Sequence, residues 1–159
     1  MPFPAAEPTF RSAVLPLATA LHVLEEWPGF PCWARRFASP AYGDRDYVVT
    51  HAFAIAGSAA VAVLLWAFPR AGVVHAFFLL WLAPSVFGNA LFHAGASVVS
   101  RTYCPGTLTG LVLYLPLSLA LARLALDEGL VGAPALAVLV VVGLALHAVE
   151  VGHDVLKRW

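Results

Sequence analysis

The stretch Leu21-His22-Val23-Leu24-Glu25-Glu26-Trp27-Pro28 closes the apolar run 13–24 and decides how the chain is read. On a helix, residues three and four apart are neighbours, so His22, Glu25 and Glu26 fall on one face. Two buried, adjacent carboxylates repel each other and lose hydration, which normally keeps one of them protonated. A divalent metal ion removes that conflict, because it takes anionic oxygen and neutral imidazole together. Such a site needs further ligands from elsewhere in the chain.

Composition sets the environment. The 159 residues are 61% hydrophobic and 11% charged, whereas a soluble domain carries about 25% charged residues. A chain this apolar belongs in a lipid bilayer. Formal net charge is zero, so nothing points to nucleic acid as a partner. Cys32 and Cys104 are too few for a disulfide framework and read as free thiols. The length suits one membrane domain, 1–159, and a homo-oligomer is compatible with it. Ala18-Thr19-Ala20 mimics a signal-peptidase site, but the apolar run continues past it into His22, and Glu7 sits in the would-be basic region. The segment is therefore read as a retained span.

Hydrophobicity predicts an all-α membrane protein, a bundle of five transmembrane helices at about 11–27, 47–68, 73–99, 107–126 and 133–156, each near the roughly 20 residues that cross a bilayer. Pro16 is expected in the first turns of the first span, where proline is tolerated, and Pro84 is expected to kink the third. The stretch 28–46 holds Pro31, Pro40, Gly43 and the charged residues Arg35, Arg36, Asp44, Arg45 and Asp46, and reads as a loop outside the membrane, with Trp27, Phe30 and Trp33 as interface anchors. Small residues around Gly57 and Ser58 favour close helix packing. Five spans place Arg35, Arg36, Arg45, Arg101, Lys157 and Arg158 on one side and Arg11, Arg70 and Arg123 on the other. The positive-inside bias then puts the first side in the cytoplasm, with the N-terminus outside and the C-terminus inside, in the inner (plasma) membrane.

On that threading the polar residues converge. His22, Glu25 and Glu26 end the first span, and His51 lies early in the second. Asn89 and His93 come late in the third, and His147, Glu150 and His153 late in the fifth. Counted at about 1.5 Å per residue, all lie at a similar depth in the cytoplasmic leaflet. Only His75 falls at the other side. Charged groups within spans cost about 2.5–3.5 kcal/mol each on insertion scales, so three buried glutamates need an offset. Glu150-x-x-His153 has the Glu-x-x-His form by which one helix supplies two ligands to a di-iron site. The expected site is thus a centre of two divalent transition-metal ions, iron favoured and zinc next. His22, Glu25, Glu26, His51, His93, His147, Glu150 and His153 are the candidate ligands. Asn89 stands behind them, and Glu25, Glu26 and Tyr103 are the candidate catalytic groups. In the loop Arg101-Thr102-Tyr103-Cys104-Pro105-Gly106-Thr107, Pro-Gly makes a turn with positive φ at the glycine, and Thr107 is positioned to cap the next helix.

His22-Val-Leu-Glu25-Glu26, together with Tyr103-Cys-Pro105-Gly106-Thr107 and a later membrane histidine, resembles the small bacterial membrane proteins named for an H-x-x-E-E motif. That family has no assigned function. The resemblance implies a membrane fold and a site at His22, Glu25, Glu26 and His93. The functional expectation is an integral membrane metalloprotein: a non-haem di-iron oxidoreductase acting on a lipophilic substrate near the cytoplasmic leaflet. The alternatives are a zinc-dependent hydrolase of an amphiphile and a metal or proton transporter. A haem protein fits the clustered carboxylates less well.

Overall fold

The computed structural model describes residues 8–69 and 71–156, with side chains in 13–152 except at Arg70 and Glu150. Among these residues six helices follow one another: α1 (Pro8–Glu26), α2 (Gly29–Phe37), α3 (Asp44–Ala67), α4 (Gly72–Ser100), α5 (Thr107–Asp127) and α6 (Ala133–Leu156). No strand occurs among the described residues. Helices α3, α4 and α5 are long and apolar enough to cross a membrane, with 24, 29 and 21 residues. A helix satisfies its backbone polar groups internally, which hydrocarbon demands of any chain crossing it. Large apolar side chains such as Phe53, Val63, Trp66, Val73, Val99 and Val141 are exposed around the bundle. That outward apolar surface is far more than a water-facing domain of this size presents.

α1 packs along α3, and the bundle core gathers Leu15, Val61, Leu79, Val86 and Tyr114. At the α3–α4 crossing the Trp81 ring lies against Gly57, where a Cβ would come within 2.2 Å of it. The small-residue stretch therefore works by admitting a large neighbour. Beside it, Trp81 Nε1 donates to Ser58 Oγ (3.2 Å), and Ser58 pairs with Thr19 Oγ1 (3.1 Å), so the buried hydroxyls are partnered.

The expected kink in α4 takes a specific form, a π-helical segment over Ala83–Gly88. Pro84 has no N–H to donate and its ring crowds the preceding turn, so the helix widens there. A second π segment, Gly110–Tyr114, was not expected. It lies just ahead of Pro116, whose ring would meet the carbonyl four residues back in a regular α-helix.

Three local expectations are corrected. α1 begins by Pro8, so Pro16 lies in its interior rather than its first turns. The stretch 28–46 is not simply a loop, because it contains α2. There Phe30, Pro31 and Ala34 are buried while Arg35 and Arg36 face away. Prolines and arginines disguised an amphipathic helix. Phe30 is accordingly no interface anchor; it is buried edge-on against His93, with ring centroids 5.4 Å apart. α2 thus closes the end of the bundle where α1 stops, α3 and α5 begin, and α4 finishes.

Candidate metal centre

Three helices aim imidazoles at one carboxylate. Glu26, in the last turn of α1, is 1% exposed. Its Oε1 lies 2.8 Å from His93 Nε2 of α4 and 3.4 Å from His22 Nε2, one turn back on α1. Its Oε2 lies 2.5 Å from His51 Nε2 of α3. Donor atoms of His22, Glu26 and His93 all fall within 4.8 Å of one another, and all three residues are buried.

The outer ring nitrogens fix which inner ones carry hydrogen. His51 Nδ1 lies 2.7 Å from the Tyr47 carbonyl, which can only accept, so Nδ1 is the donor. His22 Nδ1 lies 2.6 Å from Thr109 Oγ1. The Thr109 hydroxyl spends its hydrogen on Glu25, so it must accept from His22. His93 Nδ1 meets Cys104 Sγ at 3.3 Å. Burial, with the negative charges of Glu26 and Glu25 adding to it, pushes that thiol up to about 12, so sulfur is present as S–H. The thiol turns toward the Pro105 carbonyl and leaves sulfur to accept. A neutral ring tied in this way presents a bare Nε2 lone pair to the carboxylate, whereas a ring protonated on both nitrogens would donate to it; His22 Nε2 has no hydrogen-bond partner. Lone pairs set against an anion repel unless a cation lies between them. A ring held through its outer nitrogen, with the inner one turned to the centre, is the arrangement that metal-ligating histidines adopt.

Packing holds the rings in place. Tyr114 stacks on His22 (4.3 Å, 26°) and Tyr47 on His51 (3.8 Å, 24°). Gly106, at φ 98°, lies against two rings; a Cβ there would sit 2.7 Å from His93 Cε1 and 3.0 Å from His22 Cε1. Its positive φ was expected from Pro-Gly, and its contact with the histidines was not.

Glu25 takes a different role from the one expected. Its Oε1 accepts from the Gly106 amide (3.1 Å), the Leu108 amide (3.0 Å) and the Tyr103 hydroxyl. Its Oε2 accepts from the Thr109 amide (2.6 Å) and the Thr109 hydroxyl. With both oxygens occupied, Glu25 stands apart from the imidazoles. It caps α5 from a neighbouring helix, satisfying amides a helix start leaves open and placing an anion at the positive end. Thr107 does not supply the cap. Its hydroxyl contacts the Cys104 carbonyl (2.6 Å) and Ser97 (2.7 Å). Tyr103 touches Glu25 rather than the cluster. Burial and that bond hold its phenol above the usual range, so it stays a donor.

A cavity of about 420 Å³ adjoins the cluster, with His22, Glu26, His51 and His93 at one end and mostly apolar side chains elsewhere. Asn89 and His147 line the same cavity without joining the close donor set. The side chains of Glu150 and His153 lie outside the described residues. His75 sits in the first turn of α4, at the end away from the cluster, and donates Nε2–H to the Pro69 carbonyl (2.9 Å). The residues that sequence reasoning missed are Thr109, Tyr114, Tyr47 and Phe30 as supports. Thr109, two positions past the loop motif, was the one with a signal.

The fold and the cluster define a class: a helical protein with helices of bilayer length and a buried centre of histidines around one carboxylate. The chain belongs to the HXXEE family, described as protein of unknown function with HXXEE motif, whose model matches residues 13–121. That match contains all four converging donors and the Tyr103–Thr109 loop, and stops short of His147. No curated protein and no solved structure matches the chain.

Proposed function

We propose that this protein is an integral membrane metalloenzyme acting on a lipophilic substrate. It crosses the inner membrane five times, its C-terminus is cytoplasmic, and its centre lies near the cytoplasmic leaflet. His22, His51, His93 and Glu26 hold one divalent transition-metal ion. The observation that carries this is the set of three Nε2 atoms, from three helices, turned toward one buried carboxylate while every Nδ1 is engaged outside. The described donors meet at one point, which supports one ion. A second ion, as in a di-iron centre, would have to draw on His147 with Glu150 and His153.

Mixed imidazole and carboxylate ligation with an open side favours iron and an oxidoreductase. The chain's own groups then hold the ligands in one tautomer, exclude water with Phe30 and Tyr114, and admit substrate only from the cavity side. Iron would supply one-electron chemistry with oxygen, which like an apolar substrate concentrates in lipid. A second reading, a zinc hydrolase, draws on the fact that three imidazoles alone complete a catalytic zinc site. Glu26 would then take the proton from water. Elemental analysis of the protein purified in mild detergent tests both. We expect about one iron or zinc per chain, falling below a tenth in His22→Ala and unchanged in His75→Ala. Metal-free wild-type protein, or equal metal in both variants, would overturn the proposal.

A further inference from the structure

We infer that the cavity is a binding channel for a single-chain amphiphile that carries a hydrogen-bonding group a few atoms from its polar head, held head-first toward His93 with its chain along α4. The head-to-tail direction rests on the metal-centre reading above; the channel itself does not.

The channel is graded. His93, Asn89, Ser85, Trp81 and Phe77 step by four along α4, and all five line the cavity. Steps of four drift about 40° each on an α-helix, and the wider π turn at Ala83–Gly88 takes part of that drift back, so these residues form one wall roughly 20 Å long. Polarity falls along it from imidazole through amide and hydroxyl to two aromatic rings. That is the polarity profile of an amphiphile. A volume of about 420 Å³ is near the lower end of ligand cavities, which run from roughly 300 to 1,000 Å³. It suits one chain rather than a whole two-chain lipid.

The apolar end opens sideways. Phe53 of α3 and Phe77 of α4 line the cavity while being 70% and 47% exposed, so they form its outer lip. α3 and α6 each pack on α4 and scarcely meet one another, which leaves a gap between them on the apolar flank. A ligand dissolved in lipid can enter there without crossing water. Asn89 supplies the selective element. Its Oδ1 is buried without a hydrogen-bond partner, one turn from His93. A buried amide oxygen left open is costly. A ligand hydroxyl or N–H one helical turn from the head would satisfy it. An unsubstituted chain would not.

The test uses the full chain in lipid nanodiscs, with 11-bromoundecanoate as the probe. Bromine in the channel should quench Trp81 emission saturably, and Trp81→Phe should remove that component. Ser85→Phe, or Ala54→Phe from the facing helix, should weaken the quenching at least tenfold with metal content unchanged. As competitors, 3-hydroxydodecanoate should displace the probe about tenfold better than dodecanoate in wild type, and equally well in Asn89→Leu. Unsaturable quenching, or quenching that survives in Trp81→Phe or in both plugged variants, would overturn the channel. Equal competition by the two acids in wild type would overturn the role of Asn89. Metal-free protein that still shows saturable Trp81 quenching would fail only the metal reading. Metal-loaded protein without it would fail only this inference.

Discussion

Glu25 and Glu26 are chemically identical neighbours with opposite surroundings. Glu25 accepts hydrogen bonds from three amides and two hydroxyls, all on the Tyr103–Thr109 segment. Glu26 faces three imidazole Nε2 atoms whose rings are held through Nδ1 on their other side. The first environment is complete with protein alone. The second, on the function proposed above, is completed by a metal cation. Geometry explains the division. Successive helical residues are about 100° apart, so positions 25 and 26 straddle the direction of His22. One side of α1 meets the start of α5, and the other meets α3 and α4. The two regions are joined through Thr109, which donates to Glu25 and accepts from His22.

That contrast can be broken at several points. The largest effect should be on thiol reactivity, because Cys104 is buried against the cluster with its thiol pushed up to about 12 by burial and by both glutamates. Only thiolate reacts, so at pH 8 Cys104 should alkylate about a thousandfold more slowly than an ordinary thiol. Mass spectrometry after iodoacetamide should find label on the exposed Cys32 alone, and on both after denaturation. Rapid labelling of Cys104 in folded protein would mean that the thiol is not buried beside the cluster.

Gly106→Ala comes next. It forces a side chain to positive φ and into two buried rings at once. We expect a loss of about 3 kcal/mol, over a hundredfold in the folded ratio, from the sum of left-handed strain and overpacking. Denaturant unfolding measures it, and a loss under 1 kcal/mol would show that the rings are not fixed. Thr109→Val keeps shape and removes the acceptor for His22. Loss of a partner behind a metal ligand typically costs 10–100-fold in affinity. Competition with a calibrated chelator should read that, with little change in fold. Tyr103→Phe removes one of five donors to Glu25 and should cost about 1 kcal/mol of stability, leaving metal affinity unchanged. A loss of metal in that variant would mean that the two regions are coupled more tightly than through Thr109.

Much of the centre was legible because burying ionisable groups in an apolar helix is costly. His22, Glu26, His51 and His93 stood out at one depth once the helices were threaded up and down. The division of labour between the glutamates was not legible, since it depends on where α5 starts relative to α1. Nor was α2, in which prolines and arginines outweighed the burial pattern of Phe30, Pro31 and Ala34. Pro84 announced a distortion in α4. The matching one in α5 follows from Pro116, which an otherwise apolar run conceals. His147 was expected among the ligands because it shares the depth of the others, but depth alone does not fix rotation about the helix axis.

The most direct test compares the two carboxylates themselves. Wild type, Glu25→Gln and Glu26→Gln are purified side by side and their metal-to-chain ratios measured. We predict about one ion in wild type, at least half of that in Glu25→Gln with lowered thermal stability, and less than a tenth in Glu26→Gln with the fold retained. Equal metal in both variants, or loss in Glu25→Gln alone, would contradict the assignment of Glu26 as the centre of the site.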